Sequence, residues 1–89
     1  EALALRLVHR AVPAETLMEY ALSLAKELAQ RPTRAYALTK KLLLETYRLS
    51  LTEALALEAV LQGQAGQTQD HEEGVRAFRE KRPTRFRGR

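Results

Sequence analysis

Residues 50–61, SLTEALALEAVL, constrain the fold most, because as a helix they have almost no polar side. Leu and Ala favour helix, and Ser50 followed three residues later by Glu53 is the capping-box signature of a helix start. Apart from Glu53 and Glu58, the turns are built from Ala54, Leu55, Leu57, Ala59, Val60 and Leu61. A helix that is apolar on most sides is normally buried on most sides. A chain of 89 residues buries only about 60–65% of its unfolded surface. The segment is therefore predicted to be a helix that one copy of this chain cannot cover alone.

The remaining segments also read as helices, punctuated by proline. Residues 1–5 resemble a helix end. Residues 7–12 predict a short extended stretch, with Leu7, His9 and Ala11 on one side and His9 partly buried; Pro13 closes it. Over residues 13–30, Leu17, Ala21, Leu24, Ala25 and Leu28 recur at helical spacing, widened by Met18, Leu22 and Ala29. Pro32 is predicted at the first position of a helix over residues 33–49. Ala35, Leu38 and Leu42 form one stripe of that helix, and Tyr36, Leu43 and Tyr47 a second, so it is expected to have two neighbours. Residues 62–69 are polar and carry Gly63 and Gly66, which predicts fraying into a turn. Asp70 then caps a last helix, with Glu73 reaching back to close a second capping box, and Pro83 ends it.

Composition removes several classes of function. There is no cysteine, so disulfides and thiolate metal sites are excluded. No apolar run approaches the ~18–20 residues that span a bilayer, and no signal-peptide pattern is visible, so the expectation is a soluble, cytoplasmic protein. His9 and His71 are the only histidines and have no third ligand at suitable spacing, so no metal site is predicted. Gly-rich phosphate loops, nucleophile elbows and Ser, Cys or His catalytic arrangements are missing from the sequence. Asp70, Glu72 and Glu73 read as capping and dipole-compensating acids rather than as acid–base catalysts. Glu58, alone on an apolar helix, reads as a buried hydrogen-bonded acid or half of an inter-subunit ion pair.

The net charge of +4 sits at one end. Residues 76–89 hold seven Lys/Arg and one Glu, a balance of +6, while residues 1–75 hold eight Lys/Arg and ten Asp/Glu, a balance of −2. Such a tail attracts phosphate-bearing ligands. In the last helix Phe78 and Lys81 are three apart and lean to one side. From spacing alone Phe78 reads as core and Lys81 as a surface charge. The alternative is an aromatic face for a purine beside an ammonium for a phosphate.

An ordered set of residues bears on that choice. Asp70, Glu73-Gly74, Ala77-Phe78, Glu80-Lys81-Arg82-Pro83, Phe86 and Gly88 together resemble the C-terminal signature of the crotonase superfamily, the enoyl-CoA hydratases and isomerases. Upstream and in the same order, Ala2-Leu3-Ala4-Leu5, Leu7-Val8, Val12-Pro13 and Thr39-Lys40 resemble further segments of that family. The resemblance implies an all-α fold of four to five short helices, the C-terminal oligomerisation region of a crotonase-like fold without the upstream α/β spiral core. It divides the chain into the end of a core helix with a short extended linker (1–13), a helical oligomerisation region (14–69), and a C-terminal helix with a basic tail (70–89).

Family members are much longer, and their catalytic carboxylates and oxyanion-hole amides lie upstream, so the resemblance implies part of a lyase or isomerase acting on enoyl-CoA thioesters, with no catalytic residue of its own and inactive alone. It further implies homo-oligomers, trimers or hexamers in the parent family, with coenzyme A thioester as the parent's substrate and no permanently bound cofactor. By resemblance Phe78 contacts the adenine of coenzyme A and Lys81 its phosphates, with Arg82 a weaker third. Arg6 departs from the family's usual Gly at a left-handed helix end, which predicts that this corner is rebuilt. Two rivals remain at this point. One is a self-associating helical interaction module, natural or engineered, with no catalytic role. The other is weak nucleic-acid binding through Arg82, Arg85, Arg87, Arg89 and Phe86.

Overall fold

The computed structural model describes residues 1–89. It contains four α-helices and no strand: α1 (Leu17–Ala29), α2 (Thr33–Thr46), α3 (Leu51–Gly66) and α4 (Gln69–Glu80), with a single 3-10 turn, Ala14–Thr16, leading into α1. No helix is long and apolar enough to cross a membrane.

The capping box at α3 forms as its sequence requires. Ser50 Oγ accepts from the Glu53 backbone N–H at 3.3 Å, and the Ser50 N–H donates to the Glu53 carboxylate at 2.8 Å. Hydrogen bonds from the Ser50 side chain and then its backbone hold the Glu53 carboxyl below its ordinary value. α3 runs on through Gly66, past the predicted fraying point. The Gln residues here are good helix formers, and each Gly costs the helix only about 1 kcal/mol. Thr68 then ties α3 to α4: its hydroxyl donates to the Ala65 carbonyl at 2.7 Å and accepts from the His71 N–H at 3.1 Å. Thr68, not Asp70, is thus the N-cap of α4. α2 ends at Thr46, three residues short of the predicted Leu49, and residues 47–49 turn into Ser50.

The N-terminal segment corrects two expectations. Residues 7–12 form no strand, because no second strand is present to pair with them. His9 is exposed, its Nε2 3.1 Å from the Tyr20 hydroxyl and its ring stacked on Tyr20, with the Arg10 guanidinium 5.0 Å from the same ring. The corner at Arg6 is not rebuilt. Arg6 takes the left-handed conformation at φ 57°, with Leu7 N–H donating to Ala2 O and Arg6 N–H to Leu3 O. That is the Schellman pattern, held here by a residue with a Cβ.

Packing is sparse. α2 lies against α3, and its half-buried positions include the predicted Ala35–Leu38–Leu42 stripe. The second stripe is bare: Tyr36, Leu43 and Tyr47 are all exposed. Only Leu61, Asp70 and Ala77 are buried. The α1 stripe meets little beyond the turn that precedes it, and Leu17, Met18, Leu22 and Leu28 are exposed. Glu58 is exposed too, so the buried reading of that acid does not hold within one chain. The accessible surface is 7831 Å², against about 5,300 Å² for a compact monomer of this mass. The radius of gyration is 16.8 Å, against about 12 Å for a compact chain of this length. Beyond the α2–α3 contact, these helices turn much of their apolar surface outward.

Candidate functional site

The one region with dense polar bonding is the junction of α4 with the tail that follows it. α4 ends in a second Schellman turn, with Arg82 N–H donating to Ala77 O and Lys81 N–H to Phe78 O. Lys81 carries the left-handed conformation there, at φ 52°. Pro83 prevents the helix from resuming, and residues 83–89 double back along α4 as an extended strap.

Two acids of α4 hold the strap. Glu73 accepts both terminal nitrogens of Arg82, at 2.6 and 3.0 Å, and the backbone N–H of Arg85 at 2.9 Å. The Arg82 hydrogen bond first, and the Arg85 N–H second, lower the Glu73 carboxyl from 4.5 to about 2. The same bond to Glu73, with a second to Glu80, raises Arg82 above its ordinary value. One turn earlier, the Asp70 carboxylate accepts the N–H groups of Arg87 at 2.6 Å and Gly88 at 2.7 Å. The Asp70 backbone N–H, one of the helix's unpaired first-turn donors, gives to the Arg89 carbonyl at 2.9 Å. Asp70 is only 3% exposed. The sequence reading made these acids caps of their own helix. They instead bind the tail, because Thr68 already caps α4.

Gly88 meets a second requirement of this arrangement. Its φ is +74°, and a Cβ there would stand 2.5 Å from Thr33 Oγ1, so the strap's end sits against the start of α2 as only glycine allows. Phe86 lies over Gly74, with its ring 3.7 Å from where a side chain at Gly74 would begin. The ring walls an open groove of about 570 Å³ between α2, α3 and α4, shared with Ala35, Val75 and Phe78.

The predicted site residues separate in this frame. Phe78 is not core: it is 85% exposed, one of the most open large side chains in the chain. Lys81 is exposed at the helix end and does not line the groove; Arg79 does. Arg82, the third candidate, is engaged by Glu73 and Glu80. Arg79 has no motif or spacing that marks it, and Phe86, read from the sequence as part of a basic tail or a signature, becomes a groove wall only through the fold of the strap. The strap itself left a trace in the sequence: Asp70 and Glu73 are one helical turn apart, and Pro83 forces the chain to reverse.

The profile of the enoyl-CoA hydratase/isomerase family matches residues 1–89. The chain belongs to the enoyl-CoA hydratase/isomerase family. A probable enoyl-CoA hydratase of Rhodobacter capsulatus is 43% identical over 89 residues, covering 100% of this chain and 35% of the relative. The 2,3-dehydroadipyl-CoA hydratase of Escherichia coli K12 is 35% identical over 83 residues, covering 93% and 32%. An enoyl-CoA hydratase crystal structure from Geobacillus kaustophilus superposes with a TM-score of 0.91 at 31% identity, covering 99% of this chain and 33% of that one. This enoyl-CoA hydratase/isomerase family chain thus spans about a third of the length of the curated relatives it matches. The helical architecture expected from the sequence is the one observed, and it matches that crystal structure over nearly all of this chain's residues.

Proposed function

We propose that this chain serves as the C-terminal helical segment of an enoyl-CoA hydratase/isomerase-like enzyme. It supplies subunit association and part of the surface that receives the adenine and phosphates of an acyl-CoA, and no catalytic group. The observation that carries the reading is Phe78, an aromatic ring left 85% exposed near the end of a helix whose first turns are bonded to the strap. An exposed ring is suited to stack on a base, and an exposed lysine just past the helix end, Lys81, is suited to a phosphate. The association role rests on the excess surface, about 2,500 Å² over a compact monomer and larger than a standard protein–protein interface. In the parent enzyme the partners would be further copies, as trimers or hexamers, and the rest of the fold.

Calorimetric titration of the chain with coenzyme A tests the nucleotide contact. Phe78→Ala should weaken binding about tenfold, the scale of one base–aromatic stack, with little change in melting because the ring is exposed. Equal affinity in the two proteins would refute the assignment to Phe78. The chain alone should not hydrate crotonyl-CoA; turnover above background would overturn the reading that catalysis belongs to groups outside these residues.

A self-associating module without a coenzyme A role is the second reading, favoured by the bare faces of α1 and α2. It predicts assembly with no coenzyme A binding.

A further inference from the structure

The strap has two sides with different chemistry. Successive side chains of an extended segment point in opposite directions. Phe86 faces the apolar groove, while Arg85 and Arg87 on either side of it line a second open cleft, of about 610 Å³, together with Arg76 of α4. At 100° per residue, Arg76 and Phe78 stand about 200° apart on the helix, so the cleft lies across α4 from the ring assigned to coenzyme A.

The cleft holds acids as well as bases, but their charges are not equally free. The Asp70 carboxylate is occupied by the two strap N–H groups, and that of Glu73 by Arg82 and the Arg85 N–H. With Glu73 and Arg82 paired, what remains is Arg76, Arg85 and Arg87, none with an ion-pair partner, against the carboxylates of Asp70 and Glu72, and Asp70 is buried with its oxygens turned to the strap N–H groups. Guanidinium forks bind phosphate oxygens in pairs, and several of them around one opening suit several adjacent phosphates. No apolar or aromatic side chain lines the cleft, so nothing there can stack on a base.

We propose that the arginine cleft binds ligands bearing two or more adjacent phosphate groups, recognised by charge and geometry rather than by a base. A free oligophosphate and a nucleic-acid backbone offer the same chemistry, and two arms of one experiment separate them. The full chain is titrated at low ionic strength with sodium tripolyphosphate, and in parallel with an oligothymidine strand. Tripolyphosphate should bind saturably, and Arg85→Gln/Arg87→Gln should weaken it about tenfold or more. Lys40→Gln/Lys41→Gln makes the same change in net charge away from the cleft and should shift affinity by less than about twofold. Arg76→Gln approaches the site from the helix and should weaken binding independently of the strap; circular dichroism checks that each variant keeps its helices.

Tripolyphosphate binding lost in the arginine variants, with the oligonucleotide unbound, supports a free oligophosphate. Both ligands weakened together supports phosphate recognition common to the two sources. Failure of tripolyphosphate to saturate, oligonucleotide binding alone, or equal losses in the lysine and arginine variants would each overturn the proposal. Coenzyme A carries a diphosphate of its own, so Phe78→Ala separates the two readings: it should leave tripolyphosphate binding unchanged while weakening that of coenzyme A.

Discussion

Asp70→Asn should release the strap without disturbing the helices. The buried carboxylate accepts two backbone N–H groups, from Arg87 and Gly88. Hydrogen bonds to a charged group contribute roughly 1.5–3 kcal/mol each. Asparagine is nearly the same size and keeps one carbonyl oxygen, so one neutral bond of about 1 kcal/mol survives. Its amide turns a donor towards the other N–H. Relief from burying a charge and the regained freedom of the strap offset part of the loss. The net is about 2 kcal/mol, or roughly a 30-fold rise in local opening. Amide hydrogen exchange followed by NMR reads this directly. The Arg87 and Gly88 amides should exchange about 30-fold faster in the variant. The Arg85 amide, held by Glu73, should change less, and amides within α1 should not change. Unaltered protection at Arg87 and Gly88 would show that Asp70 does not hold the strap.

The other predictions use the same elements. Glu73 has its carboxyl lowered from 4.5 to about 2, so its share of the clasp is complete above pH 4.5 and is lost as pH falls through about 2. The Arg85 amide should therefore stay protected through mild acid, and loss of protection near pH 4.5 would contradict the pairing with Arg82. Ser50→Ala removes the hydroxyl from the α3 capping box and should cost about 1 kcal/mol in thermal melts followed by circular dichroism; an unchanged midpoint would show that the cap contributes nothing. Lys81→Gly relieves a left-handed residue and should stabilise the chain by up to about 1 kcal/mol, while weakening coenzyme A binding by removing the ammonium. Parallel movement of stability and affinity would refute that separation of roles.

The helices were legible because their signals are local. Ser50 and Glu53 are three residues apart and form the box they announce. The 3–4 spacing from Leu17 to Leu28 and from Ala35 to Leu42 marks α1 and α2 without reference to anything distant. Gly63 and Gly66 misled the reading of α3, since a modest local penalty does not stop a helix that Thr68 continues into the next. The extended stretch at residues 7–12 had a strand's alternation but no partner. The strap was hidden for a different reason. Its bonds to Asp70 and Glu73 come largely from backbone N–H groups of Arg85, Arg87 and Gly88, and a backbone donor has no side-chain identity to read. The Arg79 side of the groove depends on how α4 sits against α2 and α3, which no spacing within α4 specifies. Phe78 was placed as exposed or buried only when the neighbours that could have covered it were known.

The outward apolar faces of α1, α2 and α3 are the feature on which the proposed association depends. Light scattering with in-line chromatography on the purified chain tests it most directly. The expected result is a mass that is a multiple of 10.1 kDa, falling on dilution as copies separate. A particle of 10.1 kDa at every concentration, melting cooperatively as a single unit, would contradict it.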